Sequence, residues 1–166
     1  MKKINVALVG LGFGGCFAEI YKHHPNIGTI GLFDTDKGVT QRVVDYCGIS
    51  KVYHSFEEIL RDDTVDAVHL VTPIPQHEEQ TIQVLEAGKH CACTVPMAIS
   101  LDGIRRITEA TRRSGKKYMM METTLYTYQF FYVKQMIESG KLGRIQFLRG
   151  THYQDMANWP DYWMGL

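Results

Sequence analysis

The feature that most constrains the fold is a set of three glycines at fixed spacing near the start of the sequence. The apolar run INVALV is followed at once by Gly10, Gly12 and Gly15, which form the pattern G-x-G-x-x-G. In such a loop the first glycine permits a tight turn, the second lets the backbone approach a pyrophosphate, and the third lets the next helix pack closely on the strand. The pattern predicts a strand, a glycine-rich loop that also includes Phe13 and Gly14, and a helix whose N-terminus binds phosphates.

An export signal is the alternative interpretation of the same segment. The charged MKK, the apolar run and the small residues before Cys16 are together typical of a lipoprotein-type signal. Such a signal has no reason to keep three glycines at this spacing, and its removal would delete the first predicted strand. The nucleotide-binding interpretation is therefore favoured, and with it a cytoplasmic location.

Five apolar runs of strand length alternate with segments that have helical patterns. The predicted strands are INVALVG, GTIGLFD, DAVHLVT, HCACTV and KKYMMME. Helices are predicted at residues 14–24, 37–48, 55–60, 75–88 and 100–115, where serines and glycines supply start and stop signals. Because the strands are nearly continuous apolar runs, both of their faces are expected to be buried. The alternation predicts an α/β fold, a Rossmann-type doubly wound parallel sheet.

An acidic residue follows the second predicted strand at the position that a nucleotide site requires. Asp34 lies 19 residues after Gly15, where a carboxylate is expected to accept hydrogen bonds from the adenosine ribose hydroxyls. A carboxylate there repels a 2′-phosphate, so NAD is expected as the cofactor and NADP is disfavoured, although Lys37 softens the repulsion. The alternative is that Asp34 is a solvated acid in a turn.

Charge and apolar content exclude some classes of partner. Lys plus Arg and Asp plus Glu both number 18, so no net field attracts nucleic acid or an anionic membrane. No apolar stretch reaches the roughly 18 residues of a membrane span.

The four cysteines, Cys16, Cys47, Cys91 and Cys93, are expected to be buried or partly buried free thiols rather than metal ligands, since no second ligand pair has spacing to match Cys91 and Cys93.

The pattern changes after residue 123. A helix is predicted near residues 126–138 and a strand near 144–153, followed by a tail that carries Trp159, Tyr162 and Trp163. One strand and an aromatic tail cannot bury themselves. Either they form an arm packed on the first domain, or they begin a second domain. The second interpretation is favoured: residues 1–123 form a dinucleotide-binding domain and residues 124–166 begin a truncated substrate domain, whose exposed edge is expected to cause homo-oligomerisation.

Three stretches of the sequence resemble the Gfo/Idh/MocA family, the relatives of glucose–fructose oxidoreductase and inositol dehydrogenase. They are VALVGLGFGG, VTPIPQHEEQTIQVLEAGKHCACTVPMA and IESGKLGRIQFLRG. The resemblance implies an N-terminal Rossmann domain, a C-terminal α/β substrate domain, and a length well over twice that of this chain. It also implies hydride transfer between NAD(P) and a secondary alcohol of a small-molecule sugar or cyclitol substrate.

The resemblance also implies roles for particular residues. The family's T-P-x-x-x-H segment, here Thr72, Pro73 and His77, follows the fourth strand and lies along the cofactor. Glu122, at the end of the sixth strand, stands where relatives often place a polar residue near the nicotinamide. The structural alternatives are a helix-start histidine without a ligand at His77 and a helix-capping acid at Glu122.

One departure from the family pattern bears on the chemistry. Relatives usually read E-K-P where this chain has Thr94, Val95 and Pro96. Thr94 is expected to contact the cofactor, but Val95 cannot donate a hydrogen bond or carry a proton as the family lysine does. Either another group moves the proton, or the cofactor is used differently. The alternatives to a dehydrogenase are thus a non-catalytic dinucleotide-binding module and a cofactor-retaining epimerase or glycosidase.

Overall fold

The structure is a computed structural model that describes residues 3–151, 153 and 155. The chain divides into two compact units, one ending at Glu122 and one beginning at Thr123. The strands are β1 Ile4–Val9, β2 Ile27–Phe33, β3 Ala67–Leu70, β4 His90–Thr94 and β5 Tyr118–Met121. The α-helices are α1 Leu11–His23, α2 Lys37–Cys47, α3 Phe56–Arg61, α4 His77–Glu86, α5 Leu101–Ser114 and α6 Tyr128–Glu138.

The five strands form one parallel sheet in the order β2-β1-β3-β4-β5. The chain runs from β1 outward to β2 and then returns to place β3 on the other side of β1, so the winding direction reverses between β1 and β3. Ligands of open α/β sheets bind at such a switch point, outside the carboxyl ends of the strands. Val52 adds a single parallel bridge to Leu32 beyond β2. If this bridge is counted as a strand, β3 is fourth and β5 sixth along the chain.

Apolar layers cover both faces of the sheet. Side chains alternate along β1, so that Ala7 and Val9 belong to one buried cluster and Leu8 to the other. The first cluster includes Ile82 of α4 and Ile107 of α5, and the second includes residues of α1 and α2. This arrangement confirms the predicted α/β fold with a doubly wound parallel sheet.

Local capping signals set most helix ends where the sequence predicts them. The Ser55 hydroxyl accepts a hydrogen bond from the Glu58 amide, and the Ser100 hydroxyl accepts one from the Gly103 amide. Gly48 and Gly115 end α2 and α5 in the left-handed conformation.

Two predicted helix starts are wrong. Helix α1 begins at Leu11 rather than residue 14, because the loop glycines join the helix directly after the turn at Gly10. The helix predicted from residue 75 begins as a short 3₁₀ turn, Ile74–Gln76, and becomes α-helical at His77.

The strand predicted near residues 144–153 is not present in the described residues. Residues 145–151 have no regular secondary structure, although α6 before them forms as predicted with Thr127 as its N-cap. A strand needs a hydrogen-bonded neighbour, and among the described residues none pairs with this segment. The tail residues Trp159, Tyr162 and Trp163 lie outside the described residues.

Candidate dinucleotide site

The turn out of β1 requires glycine at its first position. Gly10 has a φ of 87°, and a Cβ atom built there would lie 2.7 Å from the carbonyl carbon of Val71, the residue after β3. Any side chain at Gly10 would therefore combine an unfavourable backbone conformation with a backbone clash. The glycine brings the ends of β1 and β3 together at the switch point.

The other glycines of the loop have distinct surroundings. A Cβ at Gly12 would meet nothing within 4 Å, so the space outside the first turn of α1 is open. A Cβ at Gly14 would meet the Val71 side chain at 3.0 Å, whereas one at Gly15 would meet Val43 of α2 at 2.9 Å. The prediction that Gly15 packs the helix against a strand is thus wrong: Gly14 makes the approach toward the end of β3, and Gly15 lets α1 pack against α2.

The start of α1 presents backbone donors rather than a side-chain cap. Gly10, at the N-cap position, has no side chain to accept from the first turn. Amides in a first helical turn have no acceptor within the helix, and the helix dipole favours negative charge there. Phe13 lies exposed on this turn and meets Phe17 edge-on. The arrangement fits a pyrophosphate at the N-terminus of α1.

Asp34 links the end of β2 to this turn. Its Oδ2 accepts a hydrogen bond from the Leu11 amide at 2.6 Å, and its Oδ1 accepts one from the Asp36 amide at 2.9 Å. The Thr35 hydroxyl also donates to Oδ1, at a long 3.5 Å, so of the carboxylate's about four lone-pair positions one is free and one is only weakly occupied. Asp34 therefore organises the loop and can still accept from ribose hydroxyls.

A cavity of about 1020 Å³ opens on the Asp34 side of the sheet. Its lining includes Asp34, Lys37, Tyr53, Gln76 and Gln80. The glycine loop itself does not line it. The mixture of an acid, amides and an aromatic ring suits the adenosine half of a dinucleotide.

The T-P-x-x-x-H segment forms a hydrogen-bonded network. His77 is buried, and its two ring nitrogens each lie 2.8 Å from a carbonyl oxygen, Nε2 from that of Thr72 and Nδ1 from that of Pro96. The Thr72 hydroxyl donates to Oε1 of Gln80 at 2.6 Å, and Nε2 of Gln80 donates to Oε1 of Gln76 at 3.1 Å. His77 thus begins α4 and joins two loops, while its contact with a cofactor stays a prediction.

The remaining predicted site residues lie at the carboxyl ends of their strands. Thr94 ends β4, and its hydroxyl donates to the Leu70 carbonyl at 3.4 Å. Val95 follows it and is partly exposed, while Pro73 is exposed directly after Thr72. Glu122 is half-buried immediately after β5.

A second buried histidine lies beneath α1. His69 of β3 shares a hydrogen bond of 2.9 Å between its Nδ1 and the Tyr21 hydroxyl, and Phe17 packs edge-on against its ring. Burial lowers the pKa of His69 to about 4, so the ring is neutral at pH 7. Its Nε2 has no hydrogen-bond partner among the described residues.

Three of the four cysteines are buried thiols. Cys91 and Cys93 lie on one buried face of β4, and burial raises both pKa values, that of Cys93 to about 12. Cys16 is exposed because it lies on the solvent side of α1, so its predicted burial is wrong.

Within residues 3–151, 153 and 155, no group of three or more metal-ligating side chains comes together. In the same residues, no helix is long and apolar enough to cross a membrane.

Comparison with known proteins identifies the family. The model of the Gfo/Idh/MocA oxidoreductases, described as an oxidoreductase family with an NAD-binding Rossmann fold, matches residues 4–122. The chain belongs to this family. That membership agrees with the resemblance in the sequence and with the geometry of the glycine loop.

Three proteins illustrate where the chain lies among its relatives. It is 26% identical to the alpha-N-acetylgalactosaminidase of Shewanella oneidensis over 98% of the chain and 40% of that protein. It is 30% identical to an NAD-binding protein from Listeria innocua, with a TM-score of 0.79 over 87% of the chain and 41% of that structure. It is 27% identical to the WlbA dehydrogenase of Bordetella pertussis, solved with NADH and UDP-GlcNAcA, with a TM-score of 0.76 over 87% of the chain and 42% of that structure. The chain thus spans about two fifths of the length of these relatives.

The structure brings most predicted site residues of the first unit to one edge of the sheet. Gly10, Asp34, Thr72 and Thr94 all lie at or just beyond the carboxyl ends of strands. Sequence reasoning missed Val71, Tyr53, Gln76 and Gln80. The position of Val71 directly before Thr72 is a local signal, but the contribution of Tyr53 and the glutamines to a cavity depends on how distant segments pack.

Proposed function

We propose that this chain binds NAD across the carboxyl ends of β1, β2 and β3. The observation that carries the proposal is that a glycine turn, a helix start and a carboxylate lie together at the switch point of the sheet. Gly10 turns sharply against Val71 and has no side chain to cap α1, Gly12 leaves open space beside the helix start, and the Asp34 carboxylate accepts from the Leu11 amide of the same turn. Membership of an NAD-binding family supports the same conclusion.

Asp34 also supports a preference for NAD over NADP. A carboxylate that accepts from two ribose hydroxyls would repel a 2′-phosphate at the same position. Lys37 lines the same cavity and reduces this repulsion without removing it. We therefore expect NAD to bind more tightly than NADP.

The activity that we propose for the full-length protein is oxidation or reduction of a secondary alcohol on a sugar or cyclitol. The bound nicotinamide would supply the hydride chemistry, and the chain would orient the substrate and handle the hydroxyl proton. The WlbA dehydrogenase was solved with a sugar nucleotide, UDP-GlcNAcA, and this relative supports the proposed substrate class. Val95 cannot serve as the proton carrier, so that group would come from elsewhere in the protein.

A glycosidase that retains its cofactor is the second candidate, and one comparison favours it. A relative that matches nearly the whole chain is an alpha-N-acetylgalactosaminidase. In this mode the cofactor would be regenerated within each turnover, and no reduced cofactor would accumulate.

One assay separates the candidates. The full-length product of the gene is incubated with NAD and, in turn, with a panel of sugars and cyclitols and with an aryl α-N-acetylgalactosaminide. A dehydrogenase accumulates one NADH per oxidised substrate, whereas a cofactor-retaining glycosidase releases the aryl group with no net NADH. A protein that binds NAD and does neither on any substrate supports the non-catalytic binding module instead.

A further inference from the structure

His77 occupies an unusual position between two loops of the first unit. It is only 1% exposed, and its ring lies between the carbonyl of Thr72, after β3, and the carbonyl of Pro96, after β4. Both distances are 2.8 Å, within the range of a good hydrogen bond. Either ring nitrogen can carry an N–H, which donates to the carbonyl oxygen that faces it.

The same loop is tied to the cavity by side chains. Thr72 donates through its hydroxyl to Gln80, and Gln80 donates to Gln76. Both glutamines line the cavity on the Asp34 side. A continuous series of hydrogen bonds therefore runs from the cavity wall, through Thr72 and His77, to Pro96.

The order of the strands places Asp34 and the loop at Pro96 on opposite sides of the switch point. Asp34 follows β2, at one edge of the order β2-β1-β3-β4-β5, and Pro96 follows β4, on the far side of β1 and β3. A dinucleotide bound across a switch point spans the strand ends from one side to the other. If Asp34 holds the adenosine ribose, the loop at Pro96 faces the nicotinamide half.

We infer that His77 is a positioning residue that fixes the loop at Pro96 against the loop at Thr72 and thereby shapes the nicotinamide half of the cofactor site. This inference rests on the proposed function. It predicts that loss of the ring nitrogens lowers the affinity for ligands that reach the loop at Pro96. The affinity for ligands that occupy only the adenosine half should not change.

The test compares two ligands and two variants by titration calorimetry. NADH spans the whole site, and ADP occupies only its adenosine half. His77→Phe removes both ring nitrogens, whereas His77→Asn keeps an amide N–H close to the position of Nδ1 and can still donate to Pro96. We expect His77→Phe to weaken NADH binding roughly tenfold or more, with ADP affinity within about twofold of wild type, and His77→Asn to restore most of the NADH affinity.

Several outcomes decide the matter. Equal weakening of NADH and ADP by His77→Phe would show a general structural role and overturn the inference, as would unchanged NADH affinity in that variant. His23→Phe, at an exposed histidine in the last turn of α1, is the matched control and should change neither affinity. A wild-type protein that binds neither NADH nor ADP would instead refute the proposed function itself.

Discussion

At the scale of single residues, Asp34 both organises the glycine loop and is expected to select between NAD and NADP. Its carboxylate holds the Leu11 amide at 2.6 Å and is expected to accept from the ribose. Asp34→Asn removes the charge and keeps one oxygen, so loss of charge-assisted hydrogen bonds should cost about 1.5–3 kcal/mol, or roughly ten- to a hundredfold in NAD affinity. NADP affinity should fall less or rise. Calorimetric titration of both cofactors measures this, and an unchanged NAD affinity would leave Asp34 as a turn acid; Asp63→Asn, at an exposed acid, is the control.

His69 gives the stability of the first unit a specific pH dependence. Its folded pKa is about 4, below the ordinary value of about 6.5, so between these values the unfolded chain binds the proton more readily. The contribution of His69 to the free energy of unfolding is therefore fully present above pH 6.5 and is lost as the pH falls toward 4. Between pH 7 and pH 5 the loss should be ~2 kcal/mol.

The variant that isolates this effect is His69→Gln, which can still pair with Tyr21 and does not titrate. Urea unfolding at the two pH values measures the difference for each protein. The wild type should lose more stability than the variant over this interval. Equal losses would show that His69 does not carry the pH dependence.

The single residues of the site could be predicted from the sequence to the extent that their roles are local. The glycine spacing and the distance to Asp34 are consequences of one strand, one turn and one helix. The partners of these residues could not be predicted, because the contact of Gly10 with Val71 and the link from Thr72 to Gln80 join segments whose approach depends on the whole sheet. For the same reason the sequence assigned the close approach to the wrong glycine. The rotation of α1 about its axis decides that Gly14, and not Gly15, faces the end of β3.

At the scale of elements, the junction of β1 and α1 depends on one glycine more than on any cap. Gly10→Ala would place a Cβ against the Val71 backbone at a positive φ, and we expect it to lower the free energy of unfolding by about 3 kcal/mol. Gly48 has a similar φ of 67° but open space around it, so Gly48→Ala should cost only about 1 kcal/mol. Urea denaturation of both variants tests the pair. Equal costs would mean that the contact with Val71 is not restrictive.

The ends of helices could be predicted where a capping residue sets them. The presence of a strand could not be predicted where it depends on hydrogen bonds to a neighbouring strand. Ser55 and Ser100 begin helices, and Gly48 and Gly115 end them, through local interactions with their neighbours in sequence. The segment after α6 has the composition of a strand, but it pairs with no strand in the described part of the chain. A strand depends on its partner, which no local pattern supplies.

At the scale of the whole molecule, the second unit exposes an unusual amount of apolar surface. Phe147 is 82% exposed and Leu148 66% exposed, and the stacked rings of Tyr128 and Tyr132 on α6 are also exposed. We propose that residues 124–166 begin a substrate domain and that this surface causes the 166-residue chain to self-associate. Replacing Phe147 and Leu148 with serine should shift the mass toward that of a monomer, measured by size-exclusion chromatography with light scattering. Tyr46→Ser, at an exposed tyrosine of α2, should not, and a strictly monomeric wild type would contradict the proposal.

The central claim is that the glycine loop binds NAD, and one titration tests it most directly. A Cβ at Gly12 meets nothing within 4 Å in this structure, so Gly12→Val should fold normally while its side chain fills the space that a pyrophosphate needs. Gly150→Val, at another glycine with open surroundings, is the matched control. Titration of NADH fluorescence should show binding to the wild type and to Gly150→Val and no measurable binding to Gly12→Val, with all three proteins unfolding at similar urea concentrations. Equal NADH affinity in all three would contradict the assignment of this loop as the cofactor site.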